Sequence, residues 1–267
     1  MKQYVKIEFI RQYKSLILWV VINCGLSILM LSMYPAFKDS IGDMMAMLDS
    51  FPQGFLEAFG LGEGGLDMST SYGWYGMEGY LFVSLLASSY AALIGSTILS
   101  REEDDQTIEF LLSKPLSRNQ VLFGKGLIVL TNLVIMNILL FLTLFIMFTI
   151  VGDFLIKTTL LIIAGIFLLQ VIFASVSFAL SIFITKSRQV MSISIGLVVG
   201  LFFLDIIATL TDQLSFLKYF TPYEYVNAVS IINDQHIEPT YLLISLCIIV
   251  ISMTITWYVY NRKDILL

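Results

Sequence analysis

Six apolar runs decide what this chain can fold into. They lie at about residues 15–33, 79–99, 121–150, 155–184, 190–210 and 241–260. A bilayer hydrocarbon core is about 30 Å thick and takes about 20 helical residues to cross. One soluble core cannot absorb six runs of that length. The composition agrees: 58% of the chain is hydrophobic and 13% charged, where an ordinary soluble domain is about 45–50% apolar and about 25% charged. The expected fold is all-α, a single transmembrane domain over residues 1–267 with six membrane-spanning helices. The third and fourth runs exceed about 25 residues, so they tilt strongly or project beyond the lipid.

The placement of basic residues orients the set, because Lys and Arg collect in cytoplasmic loops while Asp and Glu count for little. Lys2, Lys6, Arg11 and Lys14 precede the first run. Arg101, Lys114, Arg118 and Lys125 surround the second connector, Lys186 and Arg188 the fourth, and Arg262 and Lys263 follow the last run. The opposite side holds Lys38, Lys157 and Lys218. Both termini are therefore expected in the cytoplasm of a multi-pass cell-membrane protein, with the first run kept as a signal anchor rather than cleaved. Cys24 and Cys247 each lie inside an apolar run and read as small buried hydrophobes, not as a disulfide or metal site.

Upstream of the first run, Val5, Phe9 and Tyr13 recur every four residues. This predicts an N-terminal amphipathic helix lying in the headgroup plane before the chain turns into span one. The outer loop, about residues 34–78, is acidic and rich in Gly and aromatic residues. Within it Phe55, Leu56 and Phe59, closed by Gly60, predict a short amphipathic helix. The connector near Thr211–Pro239 reads as a second sizeable outer loop broken by Pro222 and Pro239.

The connector over residues 100–120, SREEDDQTIEFLLSKPLSRNQ, is the most charged part of the chain. Asp104 or Asp105 can cap a short helix there, since a carboxylate suits a helix N-terminus. Ile108, Leu111 and Leu112 give that helix one apolar face and Pro115 ends it. Ser117 and Gln120 then form a capping box that opens the third span. Such an element can be a solvated hairpin turn or a rigid docking element that a cytoplasmic partner grips.

The same residues resemble the second-to-third connector of the ABC-2 type transporter permeases. Glu102, Glu103, Thr107, Glu109, Leu111, Leu112, Pro115, Ser117, Arg118 and Lys125 fall on that family's pattern, and Gln106 stands where Gly is usual. The upstream FPQGFLEAFG and YGMEGYLF also resemble a subgroup of small permeases. The resemblance implies the membrane-spanning subunit of an ATP-binding cassette exporter. Two permease chains, identical or not, would pair in the lipid bilayer and dock two copies of a separate P-loop ATPase subunit. It implies that Thr107–Ser113 is a cytoplasmic coupling helix, with Glu102, Glu103, Thr107, Glu109, Pro115 and Arg118 at the ATPase interface. Lys186 and Arg188 would form a second contact, and the N-terminal amphipathic helix an interfacial elbow. ATP binding on the partner would bias a two-state swing of the spans.

No catalytic residue, cofactor site or metal site is expected on this chain; ATP and Mg belong to the partner, and no nucleic-acid partner is expected. A P-loop needs G-x-x-x-x-G-K-[ST], and around Gly124-Lys125 the sequence has Asn119 at the first position and Gly126 at the last. H-E-x-x-H and G-x-S-x-G are missing, and the one histidine, His236, falls in an outer loop. Ser84, Ser88, Ser89, Ser175, Ser177 and Ser181 read as helix-packing residues. A secondary transporter or channel without an ATPase is the alternative, but it needs ionisable groups at mid-depth. Asp205 stands nearly alone, toward the outer part of span five, while Asn23, Asn132, Asn137 and Gln170 read as interhelical bonding partners. Sparse charge fits an apolar or amphipathic cargo, such as a peptide, drug or lipid, and the resemblance implies that it moves outward.

Overall fold

The computed structural model describes residues 2–40, 65–104, 117–210 and 212–263. Every regular element among them is helical. Helix α1 (Lys2–Phe37) passes into a 3-10 turn, Lys38–Ser40. A short helix α2 (Ser71–Trp74) leads through a π-helical segment, Tyr75–Tyr80, into α3 (Leu81–Asp104). Then come α4 (Arg118–Val151), α5 (Ile156–Phe183) and α6 (Ser187–Leu210). Two 3-10 segments, Asp212–Phe220 and Glu224–Val226, and a second π-helical segment, Ser230–Asp234, connect α6 to α7 (Pro239–Arg262). Six stretches are long and apolar enough to cross a membrane: Glu8–Phe37, Ser71–Arg101, Arg118–Val151, Ile156–Phe183, Ser187–Thr209 and Pro239–Arg262. Helices suit hydrocarbon because they satisfy their own backbone N–H and C=O groups where no water can.

The N-terminal segment departs from expectation. The interfacial helix and span one form a single unbroken helix, Lys2–Phe37, with no turn near Ser15. The reason is local: residues 2–18 contain neither Gly nor Pro, so nothing stops propagation. At 1.5 Å per residue α1 is roughly 54 Å long, more than a bilayer core requires. Phe9 packs against the main core, whereas Tyr13 on the same predicted face is exposed. Within the expected outer loop, residues 34–78, the described residues are helical up to Ser40 and from Ser71 onward. The predicted helix at Phe55, Leu56, Phe59 and Gly60 lies outside the described residues.

Helices α3 and α5 form the centre of the bundle. Of their most apolar windows, 67% and 56% are buried, against 17–28% for the other four spans. Their interface is close because it is lined by small residues, which let membrane helices approach backbone to backbone. Gly95 marks the tightest point: a Cβ there would stand 2.5 Å from the Ala174 carbonyl oxygen. Polar side chains add cross-links. Asn137 of α4 donates to Gln170 of α5, whose Nε2 reaches the Ala87 carbonyl of α3 at 3.5 Å. Tyr90 of α3 donates to Asn132 Oδ1 of α4 at 3.3 Å. Asn23 instead bonds within its own helix, to Trp19. Ser84, Ser88, Ser89, Ser175 and Ser181 bond back to carbonyls one turn earlier, as packing residues do.

At one end of the bundle the chain is sewn together by tyrosines. The Tyr72 hydroxyl accepts the Leu155 N–H at 2.8 Å, lies 2.8 Å from Thr159 Oγ1, and its ring stacks on Phe148 at 4.0 Å. Gly152, at φ 92°, makes the left-handed turn that ends α4 just before Leu155. Nearby, hydrogen bonds from Ser69 hold the Asp67 carboxyl below its usual range. The α6–α7 connector, read from sequence as a loop, is a packed plug. Tyr223, Tyr225, Val226 and Ile231 are buried in it. The Tyr223 hydroxyl lies 2.8 Å from Ser88 Oγ, and Tyr80 donates to the Val226 carbonyl at 2.7 Å. Burial pushes the Tyr223 phenol well above its ordinary range.

Candidate coupling surface

The opposite end gathers the last turn of α3, the α5–α6 turn, the start of α4 and the end of α7. Helix α3 does not stop at the edge of its apolar run but continues through Arg101 to Asp104. Glu102 and Glu103 therefore sit on its last helical turn; their side chains, with all of Thr107, Glu109 and Pro115, lie outside the described residues. A carboxylate at a helix C-terminus opposes the helix dipole. Asp104 escapes that penalty by serving a different helix. Lys186, the residue before α6, has no side-chain acceptor, though its carbonyl takes the N–H groups of Gln189 and Val190 at 3.0 and 3.1 Å. Asp104 Oδ2 supplies the missing acceptor, taking the Ser187 N–H at 3.2 Å. Ser100 Oγ adds a bond to Ser187 Oγ at 3.2 Å. Asp104 thus caps α6; the connector helix that Asp104 or Asp105 is expected to cap lies outside the described residues. Lys186 and Arg188 are exposed beside this joint.

Arg118 faces inward. Its guanidinium donates to the last carbonyls of α7, those of Tyr260, Asn261 and Lys263, at 3.4, 3.3 and 2.9 Å. Four carbonyls at a helix C-terminus lack intrahelical partners, and a cation there also suits the dipole. Asn119 completes the joint, accepting from Trp257 Nε1 at 3.1 Å and Asn261 Nδ2 at 2.9 Å. Lys263 in turn donates to the Ile182 carbonyl near the end of α5 at 2.8 Å. The capping box that opens α4 is formed as its spacing predicts: Ser117 Oγ accepts the Gln120 N–H at 3.3 Å, and the Ser117 N–H donates to Gln120 Oε1 at 3.0 Å.

The structure therefore joins Asp104, next to Glu102 and Glu103, to the turn that carries Lys186 and Arg188, and it turns Arg118 toward α7. Sequence reasoning missed the roles of Asp104 and Ser187. The only sequence signal for them was the absence of a capping side chain at Lys186. The Asp104 and Ser100 bonds to Ser187 hold the end of α3 against the start of α6.

Compared with curated proteins, the chain finds no match. Residues 4–265 match the family described as ABC-2 family transporter protein. The match spans almost the whole sequence and agrees with six apolar helices packed around one core, so the chain belongs to the ABC-2 transporter family as a membrane permease.

Proposed function

We propose that this permease is the membrane-spanning subunit of an exporter whose ATP is hydrolysed on a separate nucleotide-binding chain. That ATPase grips the α3–α4 connector, with Glu102, Glu103, Thr107, Glu109 and Pro115 as its principal contacts and Lys186 and Arg188 as a second. ATP and Mg belong to the partner. The permease works as a pair, with a second copy or a sister permease, in the cell membrane with both termini in the cytoplasm. Its cargo is an amphipathic peptide, drug or lipid moved outward.

The observation that carries this reading is the Asp104–Ser187 hydrogen bond. It makes two separate connectors one lever, which a subunit pushing at one end of the bundle needs. Arg118 contributes from behind, by tying the start of α4 to the end of α7.

Co-purification tests it. The tagged wild-type chain is expected to bring down a P-loop ATPase. The double variant Glu102→Lys, Glu103→Lys is expected to insert normally and bring down far less. Undiminished capture by that variant would remove these carboxylates from the interface, and full transport by the purified permease without any ATPase would overturn the proposal.

A further inference from the structure

At the end of the bundle away from the coupling surface, a narrow cleft runs between the π-helical start of α3, the last turns of α6 and the α6–α7 connector. Gly76, Met77, Tyr80 and Ser84 line one side, and Phe202, Asp205, Ile206 and Thr209 the other. Asp205 lies roughly 27 Å along α6 from Ser187. A carboxylate inside a span is costly in lipid and marks a functional site when it faces a cavity.

One oxygen of the Asp205 carboxyl group is short of a partner. Its Oδ1 is fully buried and has no hydrogen-bond partner among the described residues. The Thr221 side chain and the Glu224 backbone hydrogen-bond to its carboxyl group, and the charges of Glu224 and Lys218 act on it. Lys218 is already engaged, 3.8 Å from Glu224 Oε1. Lys218 thus already has a carboxylate partner, and no lysine or arginine stands among the described residues that line the cleft beside Asp205. Leu66, Met77, Phe202 and Ile206 give the wall an apolar and aromatic part, beside the polar Ser84, Thr209 and Asn227.

We propose that this cleft binds the protonated amine or guanidinium of an amphipathic cation, with Asp205 taking the charge and the apolar wall taking the adjoining hydrocarbon. A hard metal ion fits less well. Such ions take six or more oxygen ligands, and no group of three His, Cys, Asp or Glu that could hold one occurs among the described residues. The size of the cleft suits one side-chain-sized group rather than a whole peptide. Its wall is also built from π-helical backbone: Tyr75–Tyr80 lines it, and Ala228 and Val229 lead into Ser230–Asp234. Such segments are rare and recur at functional sites. The proposal narrows the cargo of the exporter proposed above, but the binding it describes needs neither ATP nor an ATPase.

The test uses the full chain in phosphatidylcholine nanodiscs, with empty nanodiscs subtracted. The probes are dansylcadaverine, a primary amine on an aromatic body, and its neutral N-acetyl derivative. The wild type is expected to bind the amine saturably and at least about ten-fold more tightly than the neutral form, as a charge-assisted hydrogen bond implies. Asp205→Asn should erase that preference and Asp205→Glu should keep much of it. Equal affinity for the two probes in the wild type overturns the proposal, and so does a preference that survives Asp205→Asn. If Asp205→Asn does not fold, Thr209→Trp, which fills the cleft from its wall, should abolish the preference, and its retention overturns the proposal equally. Loss of ATPase capture with intact amine binding would sink the coupling reading alone.

Discussion

Asp104 and Ser187 are 83 residues apart in the chain and meet at 3.2 Å, the carboxylate of one accepting the backbone N–H of the other. A cap of this kind is normally supplied by the residue at the helix's own N-terminus. Here it comes from another helix, so one hydrogen bond ties the start of α6 to the end of α3.

Removing the cap tests that link. Asp104→Ala should lower stability by about 1 kcal/mol and speed hydrogen exchange at Ser187–Val190. Ser187→Pro removes the donor while suiting the first position of a helix, so it should loosen the joint without unwinding α6. If both variants keep wild-type exchange at the α3 end, the two connectors are not mechanically joined.

Arg118→Ala should fray the end of α7, since three carbonyls lose one donor. The expected cost is about 1.5–3 kcal/mol for a charged hydrogen-bonding group, seen as a lower thermal midpoint in detergent. Arg118→Lys should recover part of it, because a lysine can reach one carbonyl but cannot fork across three. A loss of ATPase capture with an unchanged midpoint would instead place Arg118 at the partner interface.

Gly95→Ala forces a methyl against the Ala174 carbonyl. Overpacking typically costs about 1–3 kcal/mol, and Gly95→Leu should prevent assembly of α3 on α5 altogether. Yield of monodisperse protein after extraction measures both. A Gly95→Leu variant as stable as the wild type would mean that the two helices are not in backbone contact.

Sidedness is testable with single cysteines after Cys24 and Cys247 are replaced by Ala. A membrane-impermeant maleimide should label Ser40→Cys in intact cells, and Gln189→Cys only after permeabilisation. Both positions are exposed. The reverse pattern would invert the bundle and remove the coupling surface from the cytoplasm.

The sequence was most legible where structure is local. Helical runs announce themselves by length, and the Ser117–Gln120 capping box spans four residues, so both could be read directly. The α6–α7 plug could not, because nothing in the order of Tyr223, Tyr225 and Val226 says that Ser88 and Tyr80, more than a hundred residues earlier, will meet them. Arg118 reads from sequence as part of an ATPase interface, and its bonds to α7 stay hidden there because its acceptors are carbonyls at the far end of the chain. The break expected near Ser15 failed for a different reason. An amphipathic pattern shows which face a helix prefers, but without Gly or Pro it provides no stop.

Lys125 is fully buried in α4, and its ammonium donates to the Ile98 carbonyl of α3. A cation buried within a span is costly in lipid unless acceptors meet it, and the Ile98 carbonyl of α3 is one such acceptor. Synthesis delivers α3 first, so the acceptor is in place when the lysine emerges. The order of α3 and α4 along the chain thus places an acceptor ahead of the cation that uses it.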